Sequence, residues 1–245
     1  MTPRRDRSRG TRRRGFAALA IALAVACLGF LALGGWQLQR MQWKHALIER
    51  VDARLAAAPV PMPGRARWPD VNAVDDEYRR VRVDGAYLPG VEVRTRAVTA
   101  LGGGSWVLSA LRNGAGEIVL INRGFVPDGA AHDAAPSGPV AVIGLLRISE
   151  PGGGFLRRND PANGRWYSRD VAAIARAHGL PEATTAPFFI DAAAAADAPP
   201  QRWPRAGLTV VRFRDSHLTY ALTWFALAGL TAWAGWRLLR MDRGG

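Results

Sequence analysis

Residues 16–36 read FAALAIALAVACLGFLALGGW, a stretch without a charged side chain. At 1.5 Å per residue, a helix of this length measures about 30 Å, which is the thickness of one bilayer core. In hydrocarbon every backbone amide must find its partner within the segment, so this stretch is predicted to be a transmembrane helix. Residues 217–236 also contain no Asp, Glu, Lys or Arg and are predicted to be a second one.

The arginines that flank these two stretches predict their orientation. Seven arginines lie within residues 1–15, and three more lie within residues 237–245. Because positive residues are retained in the cytoplasm, both ends are predicted to be cytoplasmic and residues 37–216 periplasmic. This arrangement corresponds to a multi-pass protein of the bacterial inner membrane.

Amphipathic aromatic rings lie near the predicted outer surface of the bilayer, where such rings are favoured. They are Trp36, Trp43, Tyr220 and Trp224. A cleaved signal peptide is the alternative for the first stretch, because residues 32–34 form a small-x-small site. The apolar run is longer than a usual signal core and a helical pattern continues past it, which favours an uncleaved anchor.

The middle segment is predicted to start as an amphipathic helix that ends before the prolines of residues 59–63. Beyond them, alternating apolar and polar residues predict strands. These cover residues 78–87, 91–98, 106–111, 118–122, 140–148 and 208–213. The sequence therefore predicts a membrane α+β protein, with two transmembrane helices flanking one antiparallel β-rich sheet or small barrel.

Turn and helix signals complete this prediction. Residues 112–116 form a predicted hairpin turn, and Asp170 is predicted to cap a helix over residues 170–178. The glycines of residues 102–104 and 152–154 are not followed by the Lys-Ser/Thr of a phosphate loop, so both are predicted to be ordinary loops.

Composition and motifs argue against several classes of function. The formal net charge is +13, but the interior charges are mixed rather than clustered with aromatic residues, so nucleic acid is not an expected partner. Cys27 is the only cysteine, which excludes an intrachain disulfide and a thiolate pair for copper or zinc. The four histidines are widely spaced and no nucleophile-elbow motif occurs, so the sequence gives no evidence for an enzyme.

His217 is the residue whose position points most directly to a ligand. It begins the second predicted span, ahead of a helix that carries Tyr220 and Trp224. A neutral imidazole there is suited to haem iron, with the macrocycle against apolar helix faces, and Arg212 and Arg214 are suited to its propionates. The alternative is an interfacial histidine that binds water or lipid headgroups.

Five motifs follow one another along the chain. They are LGGWQ at residues 33–37 with Arg40 and Trp43 beyond it, YRRVRVDGAY at 78–87, INRGFVP at 121–127, WYSRD at 166–170, and HLTYALTWF at 217–225. In this order they resemble the Surfeit-locus family of cytochrome c oxidase assembly factors. Phe125 stands where that family more often has Trp, and Asp215-Ser216 stands where it usually has two asparagines.

The resemblance implies a non-enzymatic assembly factor that binds or delivers haem a while oxidase subunit I matures. Its implied partners are subunit I, haem a synthase and the lipid bilayer, and His217 is the implied axial ligand. The family-motif residues expected to serve structure or partner binding are Trp36, Arg40, Trp43, Asn122, Arg123, Gly124, Trp166 and Asp170. Two alternatives remain: a haem-free scaffold that bridges oxidase subunits, and a periplasmic enzyme anchored by two helices.

Overall fold

The computed structural model describes residues 6–154, 156–194, 199, 202–209 and 215–243. The chain forms two compact units. We call Met1–Arg50 together with Arg212–Gly245 the helical unit, and Val51–Val211 the β unit.

Three α-helices and six strands make up the described structure. In chain order they are α1 (Asp6–Ala56), β1 (Val60–Pro61), β2 (Arg80–Thr99), β3 (Gly102–Asn113), β4 (Ile118–Pro127), β5 (Pro139–Ile148), α2 (Val171–Ala177), β6 (Thr185–Ala192) and α3 (His217–Arg243). Short 3₁₀ helices occupy Arg65–Asp70, Pro161–Asn163 and Glu182–Thr184. The predicted continuation of the first helix beyond the apolar run is confirmed, because α1 is continuous to Ala56.

The helical unit is built on a seven-residue repeat. Its less exposed side chains recur at alternating spacings of three and four residues, which is the pattern of a coiled coil. On α1 they include Phe16, Ala20, Leu23, Cys27, Phe30, Gly34, Gln37, Met41 and Lys44, and on α3 they include His217, Ala221, Trp224, Ala228, Thr231, Gly235 and Leu238.

Contacts between α1 and α3 run in opposite directions along the two helices. Gln37 meets His217, Phe30 stacks on Trp224 with ring centroids 5.7 Å apart, and the Cys27 thiol donates to the Ala228 carbonyl at 3.5 Å. The helices are therefore an antiparallel pair. Small residues such as Ala221, Ala228 and Gly34 lie at the seam, where they let the two backbones approach closely.

One helix among the described residues is long and apolar enough to cross a bilayer, and it lies within Gly15–Ala56. Many of its large apolar side chains, including Ile21, Val25 and Leu28, are exposed. The helix α3 covers the predicted residues 217–236, but its threonines and tryptophans make it less hydrophobic than the apolar run of α1, residues 16–36. The second crossing therefore stays a prediction.

The β unit is a closed, mixed sheet. Neighbouring strands pair in the order β2, β3, β4, β6 and β5, and β5 pairs back onto β2, so the small-barrel form of the prediction is the one that the chain adopts. The prediction of a purely antiparallel sheet is wrong, because β1 runs parallel to β2 and β4 runs parallel to β6. The parallel β4–β6 pair is possible because the connection between these strands is long and includes α2.

Both faces of the central strands are buried, which explains why β6 is not evident in the sequence. Along β4, Val119 and Ile121 contribute to one core cluster while Ile118 and Leu120 contribute to the other. The first cluster contains side chains from all five strands of the barrel, together with Trp68. The second cluster lies between the sheet and α2. A strand buried on both faces has no polar alternation to reveal it.

Several local predictions are confirmed. The predicted turn joins β3 to β4, where the Asn113 side chain accepts from the backbone N–H groups of Ala115 and Glu117. Asp170 caps α2 by accepting from the backbone N–H of Ala173 at 3.0 Å. The glycines of residues 152–154 lie outside the helices and named strands, as predicted.

Three strand assignments differ from the prediction. The predicted strands 78–87 and 91–98 form a single strand, β2, which begins at Arg80 and whose register shifts between Tyr87 and Glu92. The glycines of residues 102–104 begin β3 instead of forming a loop, and a Cβ on Gly104 would lie 2.5 Å from the Phe125 ring. Of the predicted strand 208–213, Leu208 and Thr209 are not in a strand and the rest lies outside the described residues.

Candidate functional site at the start of the second helix

The imidazole of His217 is held by a side chain from the other helix. Its Nδ1 atom lies 2.8 Å from Oε1 of Gln37, although the two residues are 180 positions apart in sequence. His217 is the first residue of α3, and Gln37 lies on the seam of α1. The two helices therefore meet at this point through a polar contact instead of an apolar one.

A second contact fixes the backbone at the same helix start. The carboxylate of Asp215 accepts from the backbone N–H of His217 at 3.0 Å, and its other oxygen lies 2.7 Å from Nε2 of His45 on α1. The hydrogen bond from His217, followed by that from His45, lowers the pKa of Asp215 despite partial desolvation. The carboxylate is thus charged at neutral pH, and it links α1 to the first turn of α3.

Aromatic residues named from the sequence surround this end of the pair. Tyr220 and Trp224 lie one and two turns beyond His217 on the same side of α3; Tyr220 is largely exposed, whereas Trp224 stacks on Phe30. On α1, Trp36 and Trp43 are exposed, and the Arg40 guanidinium lies 4.5 Å from the Trp43 ring.

Arg214, and Arg212 with it, lies outside the described residues.

The arrangement at His217 fits a haem ligand. A carbonyl oxygen such as Gln37 Oε1 only accepts hydrogen bonds, so the contact is a hydrogen bond when Nδ1 of a neutral His217 carries the proton, and in that tautomer Nε2 carries the lone pair. Haem iron, if bound here, would be held through that lone pair. Exposed apolar side chains in the first two turns of α3, among them Leu218 and Leu222, offer a surface on which a macrocycle can lie.

The residues of the INRGFVP motif have a different role, because they hold the β unit together. Asn122 is buried, donates to Oδ1 of Asp191 at 2.7 Å and accepts from the backbone N–H of Gly124. Gly124 has a φ of +135°, and a Cβ there would lie 2.2 Å from the Arg205 carbonyl carbon. Only glycine fits such a position.

Asp191, which sequence reasoning did not single out, is the centre of a buried polar network. Besides Asn122, it accepts hydrogen bonds from Arg147 at 2.7 Å, Thr209 at 2.9 Å and Arg169 at 3.3 Å. Asp191 is only 2 % exposed, so its charge is compensated almost entirely by these donors. The network joins β4, β5 and β6 to the residue that precedes Asp170.

Arg123 ties a loop to the barrel. Its guanidinium donates to the backbone carbonyls of Asp133 and Ala134 at 2.9 and 2.8 Å and to Glu92 at 3.3 Å. Burial lowers its pKa, and the charge of Glu92 is among the groups that oppose this change. The Arg123 side chain is 8 % exposed, so most of its surface already serves the fold.

The residues of the WYSRD motif also make contacts that stabilise the β unit. Trp166 is buried in the cluster beneath α2, and its carbonyl accepts from the backbone N–H of Arg96 at 2.8 Å. Asp170, besides capping α2, accepts from the backbone N–H of Gly152 at 3.1 Å.

A cavity of about 800 Å³ opens on the β unit beside Arg123. Its lining includes Tyr87, Ile143, Arg202, Trp203 and Arg205, which combine apolar surface with guanidinium groups. In the described part of the chain, no group of three or more His, Cys, Asp or Glu side chains is arranged to hold a metal ion.

The fold and this site together define a class of protein, in which a small closed barrel accompanies a long apolar helix and a histidine begins the returning helix. The model of the SURF1 family matches residues 24–229 of the chain. Surfeit locus protein 1 of Homo sapiens is 32 % identical over 82 % of this chain and 71 % of its own length. The SURF1-like protein of Monosiga brevicollis is 33 % identical over 91 % of this chain and 87 % of its own length.

The chain therefore belongs to the SURF1 family. This is the Surfeit-locus family of cytochrome c oxidase assembly factors that the five sequence motifs resemble, so the predicted family is confirmed.

Proposed function

We propose that this protein assists assembly of a haem-copper cytochrome c oxidase by binding haem a, as cargo, during maturation of subunit I. The supporting observation is the geometry at His217, where Oε1 of Gln37 lies 2.8 Å from Nδ1, an arrangement that leaves Nε2 to serve as the ligand atom. Tyr220 and Trp224 are proposed to border the macrocycle. Arg214 is proposed to pair with a propionate.

The proposed topology follows from the two helices and the flanking arginines. Both α1 and α3 cross the bacterial inner membrane, both termini are cytoplasmic, and the β unit lies in the periplasm. With this topology His217 lies near the periplasmic surface, at the level where Trp36 and Trp43 meet the lipid headgroups.

The β unit is proposed to carry the contacts to subunit I and to haem a synthase. The cavity beside Arg123 supports this role because it offers an apolar wall together with the guanidinium of Arg202, which is 67 % exposed. Surfaces of this mixed character are typical of non-obligate protein interfaces, in which Arg and aromatic residues are enriched.

Purification from cells that make haem a tests the proposal. The native protein is expected to carry haem a in its absorption spectrum, and His217→Ala is expected to lose it. His178→Ala is the matched control, because His178 ends α2 in the β unit and should leave the spectrum unchanged. A colourless native preparation that still restores oxidase activity would replace haem binding with the haem-free scaffold.

Reporter fusions test the topology separately. Alkaline phosphatase inserted in the loop of residues 128–138 should be active, and green fluorescent protein fused after residue 245 should fluoresce. An N-terminal tag that is released from the mature protein would identify the first apolar stretch as a signal peptide and would refute the two-span arrangement.

A further inference from the structure

The hydrogen bond between Gln37 and His217 has a consequence for the chemistry of the imidazole. A neutral imidazole has one N–H group, and it resides on either Nδ1 or Nε2. Oε1 of Gln37 lies 2.8 Å from Nδ1 and has no proton to donate. The contact is therefore a hydrogen bond only in the tautomer that protonates Nδ1.

Two further contacts hold the start of α3, which carries His217, to α1. The backbone N–H of His217 donates to Asp215, and Asp215 in turn contacts His45 on α1. Gln37 and His45 are eight residues apart, about two helical turns, so α1 contacts the start of α3 at two separate points. The imidazole is consequently oriented by its own hydrogen bond to Gln37, on a helix start that is itself held to α1.

This is the arrangement that histidine ligands of metals adopt in proteins. Such a histidine almost always donates its second ring N–H to a carbonyl or carboxylate, which fixes the tautomer and the ring plane. Without that acceptor, the ring samples the tautomer in which Nε2 is protonated and has no lone pair for a metal.

We propose that Gln37 is a positioning residue that holds His217 in the Nδ1-protonated tautomer and so presents Nε2 to haem iron. The inference rests on the haem-binding function proposed above. It assigns a role to Gln37, which belongs to the LGGWQ motif but for which the sequence alone predicts no function.

The first test needs no haem. Full-length protein labelled with ¹⁵N-histidine, in detergent at about pH 8 where an ordinary imidazole is neutral, is expected to show His217 protonated at Nδ1. Gln37→Leu should move the resonances toward the Nε2-protonated form, and Gln37→Glu, which retains an acceptor oxygen, should preserve the native tautomer. Native protein that is already protonated at Nε2 would overturn the inference without any variant.

The second test titrates the same proteins with haem a and follows the absorption spectrum. Gln37→Leu is expected to weaken binding about 10- to 100-fold, as is usual when the partner of a metal-bound histidine is removed. Gln37→Glu should restore most of the affinity. The control is Gln39→Leu, which changes the same residue type at an exposed position two residues further along α1.

The outcomes separate this inference from the function on which it rests. If His217→Ala binds haem a as tightly as the native protein, the proposed function fails whatever Gln37 does. If His217→Ala loses haem but Gln37→Leu keeps native affinity, with or without a change of tautomer, haem binding at His217 stands and the role of Gln37 is refuted.

Discussion

In the β unit four side-chain donors converge on the carboxylate of Asp191, whereas at the start of α3 the His217 imidazole meets one acceptor, Gln37. The first site is saturated and buried, so its polar atoms stabilise the fold and are not accessible to a ligand. The second is partly exposed and, among the described residues, leaves Nε2 without a hydrogen bond. Both sites contain family-motif residues, so membership in a motif does not by itself distinguish structure from function.

Among the changes that test this comparison, removal of Asp191 should reduce the free energy of unfolding the most. Asp191→Ala leaves two largely buried guanidinium groups, Arg147 and Arg169, without their shared carboxylate. Breaking a buried ionic network in this way costs about 3–5 kcal/mol, a large part of the stability of a small domain. Chemical denaturation of the detergent-solubilised protein measures the loss.

Asp84→Ala is the matched control for that experiment. Asp84 pairs with Arg82 on the surface, and both side chains are more than half exposed, so its removal should cost far less stability than that of Asp191. Equal losses for the two variants would show that the Asp191 network does not stabilise the β unit.

Gly124→Ala should have the next largest effect. Its Cβ would lie 2.2 Å from the Arg205 backbone at a φ of +135°, so clash and backbone strain combine to about 3 kcal/mol. Gly129→Ala separates these two causes, because Gly129 also has a positive φ, +78°, but its Cβ would meet nothing within 4 Å. That control should cost only the strain, about 1–2 kcal/mol.

Arg123→Ala tests whether the INRGFVP motif is structural or forms a docking surface. Loss of its three charge-assisted hydrogen bonds is expected to destabilise the β unit by about 2–3 kcal/mol and to lower protein abundance and oxidase activity together. Arg96→Ala, which breaks an exposed pair with Asp128, should change neither. Normal abundance of Arg123→Ala with reduced oxidase activity would instead assign Arg123 to a partner interface.

The helical unit can be tested at its seam. Gly34 is buried, and a Cβ there would lie 2.6 Å from the Phe225 ring, so Gly34→Val should separate the helices by about 1–2 Å. Pulsed electron paramagnetic resonance between spin labels at the exposed positions of Leu28 and Leu230 measures this distance. Gly35→Val is the control, because its Cβ would meet nothing within 4 Å, and an equal separation in both variants would contradict close packing at Gly34.

The smallest expected effect is a pH dependence of the β unit. Burial opposes ionisation of Glu150, but hydrogen bonds and charge from Arg169 prevail and lower its pKa. A carboxylate with a lowered pKa stabilises the fold above the ordinary glutamate range, and this contribution disappears as the pH falls through the lowered value. Thermal unfolding between about pH 3 and pH 7 should therefore show a smaller acid-induced loss for Glu150→Gln than for the native protein.

The sequence predicts those elements whose signals are local. The continuation of α1 to Ala56, the cap at Asp170 and the turn at Asn113 depend on neighbouring residues, and all three are confirmed. Closure of the barrel through β5 and β2 depends on residues far apart in the chain, and no periodicity reports it. The strand β6 is missed because Phe188, Phe189 and Ile190 are all buried and hence show no alternation.

The candidate site is predictable only in part, because it too depends on contacts between residues far apart in the chain. His217 is identifiable because a histidine at the first residue of an apolar helix is unusual in itself. Its partner Gln37 is identifiable only once the antiparallel pairing of α1 and α3 is known, because either glutamine, Gln37 or Gln39, fits the sequence pattern equally well. Asp191 follows the short apolar run of β6, and nothing local in the sequence distinguishes it from a surface aspartate.

The separation of 180 residues between Gln37 and His217 makes the site sensitive to whether synthesis is complete. At about 5–20 residues per second, the ribosome adds His217 roughly 10–35 s after Gln37. Throughout that interval the nascent chain contains Gln37 but not His217. Chains terminated before α3 lack His217 altogether, so under the proposed function only molecules that contain α3 would compete for haem.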